Sequence, residues 1–349
     1  MLTGASGTVG SEVLHQLAFS ENIHLTVFDQ KTSKSKRIFA PYKNHIKVIY
    51  GDLSNENDIA GIPDKLDVVI HLAAIIPPLA DEKPELAHKV NVVGTKTLLN
   101  RLEMTSPNVF FMYSSSISVY GDRILNPFIK ITDIIQPSAG DIYAQTKIEA
   151  EELIKNSKLN WTIFRLAAIM KNHKVSRLMF HMPLSTTFEI CTPSDTARAF
   201  TNGIYKKEEL IKQAFNLGGG ERCCTTYEKF LEKSFSIFGL GALNFPELAF
   251  AHQNFHCGYY EDGNKLEDIL SFRSDTLESY YHQTRKSIPL TTRILCFTFR
   301  GFIKKFLLKQ SEPYNSVRKN NKSLMVQFFG KTDFSLAGIS VNHKVESAI

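Results

Sequence analysis

A doubly wound parallel α/β sheet with a smaller C-terminal lobe is predicted by three features of the chain. Short apolar runs alternate with longer amphipathic stretches through the first half, the pattern of strands joined by covering helices. A glycine cluster stands where the first apolar run gives way to the first amphipathic one. The length, 349 residues, is large for one core and small for three. A composition of 43% hydrophobic and 22% charged residues excludes a disordered, collagenous or multi-span chain. No stretch approaches the roughly eighteen uninterrupted apolar residues of a membrane span. The opening MLTGASGTVG lacks the basic and apolar regions of a secretory signal.

The elements follow in order. Only Met1, Leu2 and Thr3 precede the first glycine, whereas a buried strand usually has about five or six residues. A true start upstream is therefore expected. A version extended by a few apolar residues should melt higher, and equal melting temperatures would refute this. Residues 11–19 form a helix with Val13, Leu14, Leu17 and Ala18 on one side. Strands are predicted at 25–28, 46–50, 67–72, 109–113 and 161–166. Helices are predicted at 85–102, with Leu86, Val90, Val93, Leu98 and Leu102 along one face, and at 143–155. After Arg165 the pattern loosens. Residues 179–217 and 225–238 read as further strands and helices, Gly218–Gly220 as a turn, and the aromatic, turn-rich 239–283 as part of a smaller lobe.

The net charge of +6 is unevenly placed. From Arg285 to Met325 ten basic residues face one acid, Glu312, so that segment carries +9 and the remainder sums to −3. A mildly acidic body gives no footprint for nucleic acid. Five cysteines, at 191, 223, 224, 257 and 296, include no C-x-x-C spacing. They read as reduced thiols of a cytoplasmic protein, and no metal site is expected.

Thr3–Gly10 reads TGASGTVG. Between a strand and a helix, glycines let the backbone turn tightly and approach a pyrophosphate closely. The helix N-terminus then offers free N–H groups and the positive end of its dipole. A glycine cluster alone is equally an ordinary turn. Asp29, ending the next apolar run nineteen residues beyond Gly10, favours the phosphate reading. A carboxylate there can accept from both adenosine ribose hydroxyls and would repel a 2′-phosphate, so NAD is preferred. Lys31, Lys34 and Arg37 keep NADP open.

Tyr143 and Lys147 stand four residues apart in YAQTK and share a helix face. A tyrosine titrates near 10, and a nearby ammonium favours the phenolate, each pKa unit needing about 1.4 kcal/mol. Tyr143 could then take a hydroxyl proton as hydride leaves the same carbon. Alone, the pair is equally packing and solvated surface. Ser114, Ser115 and Ser116 follow the run VFFMY, at the strand end where α/β sheets bind ligands. One of them can hydrogen-bond the reacting oxygen.

Together these residues resemble the extended short-chain dehydrogenase/reductases, the NAD-dependent epimerase/dehydratase family. The resemblance covers residues 1–235 clearly and 236–283 loosely. It rests on TGASGTVG, Asp29, GDL (51–53), HLAA (71–74), NVVGT (91–95), YSSSISVYG (113–121) and YAQTK (143–147). It implies a Rossmann NAD-binding domain over 1–170 and a substrate lobe over 171–284, interleaved with the last Rossmann elements. A basic amphipathic tail takes up 285–349. It implies that Gly4, Ser6, Gly7, Thr8, Val9 and Gly10 cradle the cofactor with Asp29. Asp52 would contact the adenine amine with the Leu53 backbone beside it. Leu72, Ala73 and Ala74 would line the cleft with Ser114, and Asn91 would steady a helix near the cofactor. Ser116 aligns with the family's catalytic serine, Tyr143 with its acid/base, and Lys147 with the residue that holds the nicotinamide ribose and tunes the tyrosine. Asp195 is expected to be structural.

One departure follows Arg165. The chain reads LAAIMKN (166–172), with Ala168 where many sugar-nucleotide enzymes have a polar residue. The reaction implied is oxidation or reduction, net or transient, at a carbinol carbon of a sugar nucleotide or related small molecule. An alternative is a 3-beta-hydroxysteroid-like or lipid-alcohol dehydrogenase at a membrane surface, which Ala167-Ala168 and the tail would suit. Another is a non-catalytic NAD-binding regulator, although such relatives usually lack the Tyr or the Lys. A homodimer through the Tyr143 helix is implied by analogy alone.

In the tail, RILCFTFRGFIKKFLLK (293–309) taken as one helix gathers Leu295, Phe299, Phe302, Ile303 and Phe306 on one face. Arg293, Arg300 and Lys304 gather opposite. This suggests peripheral membrane contact or packing on the chain's own lobe. Residues 310–349 are polar and expected to be poorly ordered.

Overall fold

The computed structural model describes residues 1–171 and 175–334. Its centre is a seven-stranded sheet. From one edge the order is Gln213–Leu217, Asn160–Leu166, Phe110–Ser116, Val68–His71, Leu2–Thr3, Leu25–Asp29 and Ile46–Tyr50. Every neighbouring pair is parallel. The chain starts in the middle, builds outward to Ile46–Tyr50, then crosses back. The topological switch thus lies between Leu2–Thr3 and Val68–His71, and a crevice opens there at the carboxyl ends of the strands.

Alternation along each strand feeds two cores, one on each face of the sheet. Phe110 and Met112 join Val13, Leu14, Leu17 and Phe200 on one face. Phe111 and Tyr113 join Leu98, Leu102, Ile154 and Trp161 on the other. The helices Thr8–Leu17 and Ile142–Asn156 fall where periodicity puts them. The stretch read as one helix over 85–102 is helical from Pro84 to Thr105, with a π-helical middle at Lys89–Gly94. That wider turn carries Asn91.

Beyond residue 171 the chain both leaves the sheet and returns to it. Phe215 and Leu217, with Leu266, Leu270 and Phe272, pack into the core beneath the first helix. Between these returns a separate aromatic core forms from Phe180, Phe188, Phe230, Phe235, Phe250 and Tyr281. It is roofed by a three-stranded sheet, Cys224–Thr226, Thr187–Cys191 and Ala168–Ile169. Asp195 is buried, and accepts from the Ser274 and Asp275 N–H groups at 2.9 Å each and from Arg198 at 2.6 Å. It pins the helix Pro193–Gly203 to the approach of the helix Leu277–Ser287.

Two expectations for the tail are corrected. Residues 312–329 are folded as the helices Glu312–Arg318 and Lys322–Phe329, capped by Ser311 and Asn321. Met325, Phe328 and Phe329, at i, i+3 and i+4, bury against Ala251 and Val317. Polar composition hid that stripe. Residues 335–349, like Asn172 of LAAIMKN, lie outside the described residues. Second, 293–309 is not one helix: Leu290–Thr298 and Arg300–Lys309 meet at Phe299. A single helical wheel therefore misassigns the faces. Ile303 and Leu307 pack on the lobe, whereas Leu295, Phe299, Phe302 and Phe306 are exposed.

Candidate active site

Two groups of residues stand at the carboxyl edge of the sheet, one at the switch point and one on the strand beyond Val68–His71. The first begins at Gly4. Its φ is +69°, and a Cβ there would lie 2.7 Å from the Ala73 backbone, so only glycine lets the loop close on the neighbouring strand's exit. Gly7 is the N-cap of Thr8–Leu17 and contributes no side chain to its first N–H groups. A Cβ on Gly10 would stand 2.1 Å from the Gly4 carbonyl oxygen. Gly10 thus lays the helix directly on the loop, and Val9 packs behind it against the core.

Asp29 stands at the tip of its strand. Its Oδ2 accepts from the Ser6 N–H and its Oδ1 from the Gln30 N–H, both at 2.7 Å. A carboxylate has about four acceptor positions, so two remain. Asp52 accepts from the Ser54 N–H at 2.8 Å and from Gln30 Nε2 at 3.1 Å. The cleft between them is lined by Gly4, Ser6, Gly7, Asp29, Asp52 and Leu53, and by Leu72, Ala73 and Ala74. Phe28, Gln30, Gly51, Ile75 and Val90 also line it and were not anticipated. Proximity to Asp29 and Asp52 was the available signal for Gln30 and Gly51. The glycine cradle, the helix start and the spare carboxylate valence fit a dinucleotide. Lys31, Lys34 and Arg37 do not line the cleft; Lys31 lies over the Tyr50 ring.

Thr8, Val9, Gly10, Asn91, Ser114, Tyr143 and Lys147, also expected at the cofactor, are not among the residues lining this cleft. Asn91 is a buried clip. Its Oδ1 accepts from the Ile75 N–H at 2.7 Å, and its Nδ2 donates to the Ile75 carbonyl at 2.9 Å and to Thr146 at 3.0 Å. It ties the loop after Val68–His71 to the helix carrying Tyr143. His71 is likewise internal. Thr3 and Thr95 hydroxyls flank its ring nitrogens at 2.7 and 3.1 Å, and burial pushes its pKa down to about 3, leaving it neutral.

The second group sits on Phe110–Ser116 and Ile142–Asn156. Strand alternation divides the three serines. Ser115 points to one side and donates to Glu151 at 2.6 Å. Ser114 and Ser116 belong to the other. The Ser114 carbonyl accepts from Lys147 Nζ at 2.7 Å, and Ser116 shares a hydrogen bond with Tyr143. Lys147 is buried over the Tyr113 ring at 4.7 Å and lies 5.7 Å from the Tyr143 ring centroid.

The electrostatics correct one expectation. Burial pushes the Tyr143 phenol above its ordinary value of 10, and the Ser116 hydrogen bond opposes this. Lys147 is itself lowered to about 7 by burial, partly offset by Glu151. The ammonium meant to favour the phenolate is thus half lost near neutrality, because the apolar surroundings that bring it close also desolvate it.

Behind this pair runs a buried polar chain. Arg165 grips Glu151 through two bonds, at 2.9 and 2.7 Å. It also donates to Tyr120 at 2.7 Å, which donates to Asn216 at 2.8 Å. Sequence reading missed Glu151, although it stands one turn beyond Lys147.

A sequence model described as the NAD dependent epimerase/dehydratase family matches residues 1–182. The chain is 29% identical over 160 residues to a dTDP-glucose 4,6-dehydratase of Mycolicibacterium smegmatis, 44% of this chain and 47% of that protein. It thus spans about half the length of that relative. It is 28% identical over 268 residues to the mouse 3 beta-hydroxysteroid dehydrogenase type 7, 70% of this chain and 72% of that one. A UDP-glucuronic acid 4-epimerase from Bacillus cereus, solved with UDP-glucuronic acid and NAD, superposes with a TM-score of 0.66 at 20% identity. The superposition covers 82% of this chain and 99% of that one. At that identity the likeness establishes the fold.

Proposed function

The chain belongs to the NAD dependent epimerase/dehydratase family, and on that premise we propose that it oxidises a carbinol carbon of a sugar nucleotide, with Tyr143 as the proton acceptor. Held in the cleft lined by Gly4, Ser6, Gly7 and Asp29, NAD would supply the hydride acceptor for that carbon. The observation that carries the reading is the grouping of Ser116, Tyr143 and Lys147 at the carboxyl end of Phe110–Ser116, one strand over from Val68–His71, whose exit lines the glycine cleft.

Each residue has a separate task. Asp29, with its spare acceptor positions, holds the ribose hydroxyls, and Gly4, Ser6 and Gly7 hold the phosphates. Ser116 donates to the reacting oxygen of substrate and keeps the Tyr143 phenol turned towards it. Tyr143 takes the hydroxyl proton and returns it in the reverse direction. Lys147 stabilises the phenolate when charged; a carbonyl on one side and Glu151 nearby help it stay so. A cavity of about 330 Å³ at the start of the Tyr143 helix, lined in part by Asp81, Asp141, Ile142, His181 and His256, offers hydroxyl-matching groups to the substrate.

A sterol-like alcohol is the second reading. It is favoured by the long match to a hydroxysteroid dehydrogenase and by Ala167-Ala168 after the Arg165 strand. A screen of sugar nucleotides and sterol-like alcohols separates the two. An epimerised or dehydrated sugar with cofactor retained supports the first; net NADH release with a sterol-like alcohol and no turnover of sugar nucleotides overturns it.

Asp29→Ala should weaken NAD binding about 10- to 100-fold, the loss of hydrogen bonds to a charged acceptor. Isothermal calorimetry on the folded variant measures it. Unchanged affinity would remove Asp29 from the cofactor site.

A further inference from the structure

The helix pair that ends the lobe presents a surface the proposed reaction does not use. Between residues 290 and 306, seven large apolar side chains are exposed: Leu290, Ile294, Leu295, Phe297, Phe299, Phe302 and Phe306. Phe302 is 73% accessible and Leu290 65%. The other eleven exposed large apolar residues among those described are scattered from Phe19 to Val326. Such concentration marks an interaction surface.

The pair is seated, not loose. Ile303 and Leu307 pack into the lobe core. Lys304 donates to the Ala242 carbonyl and to Asn244 Oδ1, each at 2.5 Å. The outward face of the second helix is therefore fixed, and it alternates Phe302 and Phe306 with Lys305 and Lys309, all exposed. Arg300 lies over the Phe297 ring at 4.5 Å. From Arg285 to Lys309 there is no acidic residue. Neither helix is long enough to cross a bilayer: they have 9 and 10 residues.

We propose that the Leu290–Lys309 helix pair docks flat on an anionic lipid surface, its phenylalanines entering the interface and its lysines and arginines engaging the headgroups. Rings at acyl depth with cations at headgroup level is the arrangement of interfacial helices. Charge also decides against a second copy of the chain. A symmetric contact would set the pair's five basic residues, with no acid among them, against the same five, whereas an anionic leaflet attracts each cation.

The test uses the full chain in flotation with vesicles of phosphatidylcholine, with and without phosphatidylserine. Two double variants are compared, Phe302→Asp with Phe306→Asp, and Arg300→Glu with Lys305→Glu. All four residues are exposed and outside the cofactor and catalytic groups, so melting temperature and NAD affinity should be unchanged. The parent should float with the anionic vesicles and release as salt rises. Each double variant should bind about tenfold more weakly or worse. No flotation of the parent, or equal flotation of the phenylalanine variant, would overturn the proposal. So would a salt-resistant dimer of the parent that the same phenylalanine changes dissolve.

Discussion

Tyr143→Phe should lower turnover by about 10²- to 10⁴-fold while NAD affinity stays at the parent value, the cost of removing one positioned acid/base. The substitution deletes a single oxygen from a half-buried ring, so packing is preserved. The proton of the substrate hydroxyl then has no acceptor. Ser116 cannot replace it, because a serine hydroxyl is a far weaker base than a phenolate. Lys147 is held away from that role, since its Nζ donates to the Ser114 carbonyl at 2.7 Å and lies 5.7 Å from the Tyr143 ring centroid. Steady-state turnover and calorimetry on the same preparation separate chemistry from binding. Retained turnover would remove Tyr143 from the reaction, and lost NAD binding would move its role to the cofactor.

Glu151→Ala should cost about 3–5 kcal/mol, the penalty for leaving one partner of a buried ion pair uncompensated. Arg165 is 3% exposed and would lose both of its bonds to the carboxylate, and Ser115 would lose its acceptor. Burial raises the Glu151 pKa, but Arg165 and Lys155 outweigh it, and the net value falls from 4.5 to about 2. A carboxylate whose folded pKa is depressed stabilises the fold fully above its unfolded value. That contribution is lost as pH falls from about 4.5 towards about 2. Urea titrations at neutral and acidic pH measure both effects. In the variant the acid-dependent loss should be shallower than in the parent. Equal stability at neutral pH would mean that Arg165 finds another partner.

The five strands read from apolar runs and the helices at 11–19 and 143–155 correspond to observed elements, with ends differing by a few residues. Those segments carry their own periodicity, and the sheet buries them on both faces. The cleft was largely legible for the same reason: Gly4, Asp29 and Ala73 are fixed by the requirements of a tight turn, a strand tip and a close backbone approach. The tail was not. Its stripe at Met325, Phe328 and Phe329 is only one turn long, and its partner Ala251 is far away in sequence. The break at Phe299 leaves Ile303 and Leu307 packed on the lobe, a contact with residues distant in sequence.

Local chemistry in the sequence determined the strand and helix order, the glycine turn at the first helix, the acid beside it, and the pairing of a tyrosine with a lysine one turn on. Tertiary structure alone decided which serine meets the phenol, that Glu151 and Arg165 lie behind Lys147, and that burial opposes the charges the proposed reaction needs. The reason is range. Turn geometry and helix faces are set within a few residues, whereas desolvation depends on everything that surrounds a group, and most of what surrounds Lys147 comes from elsewhere in the chain.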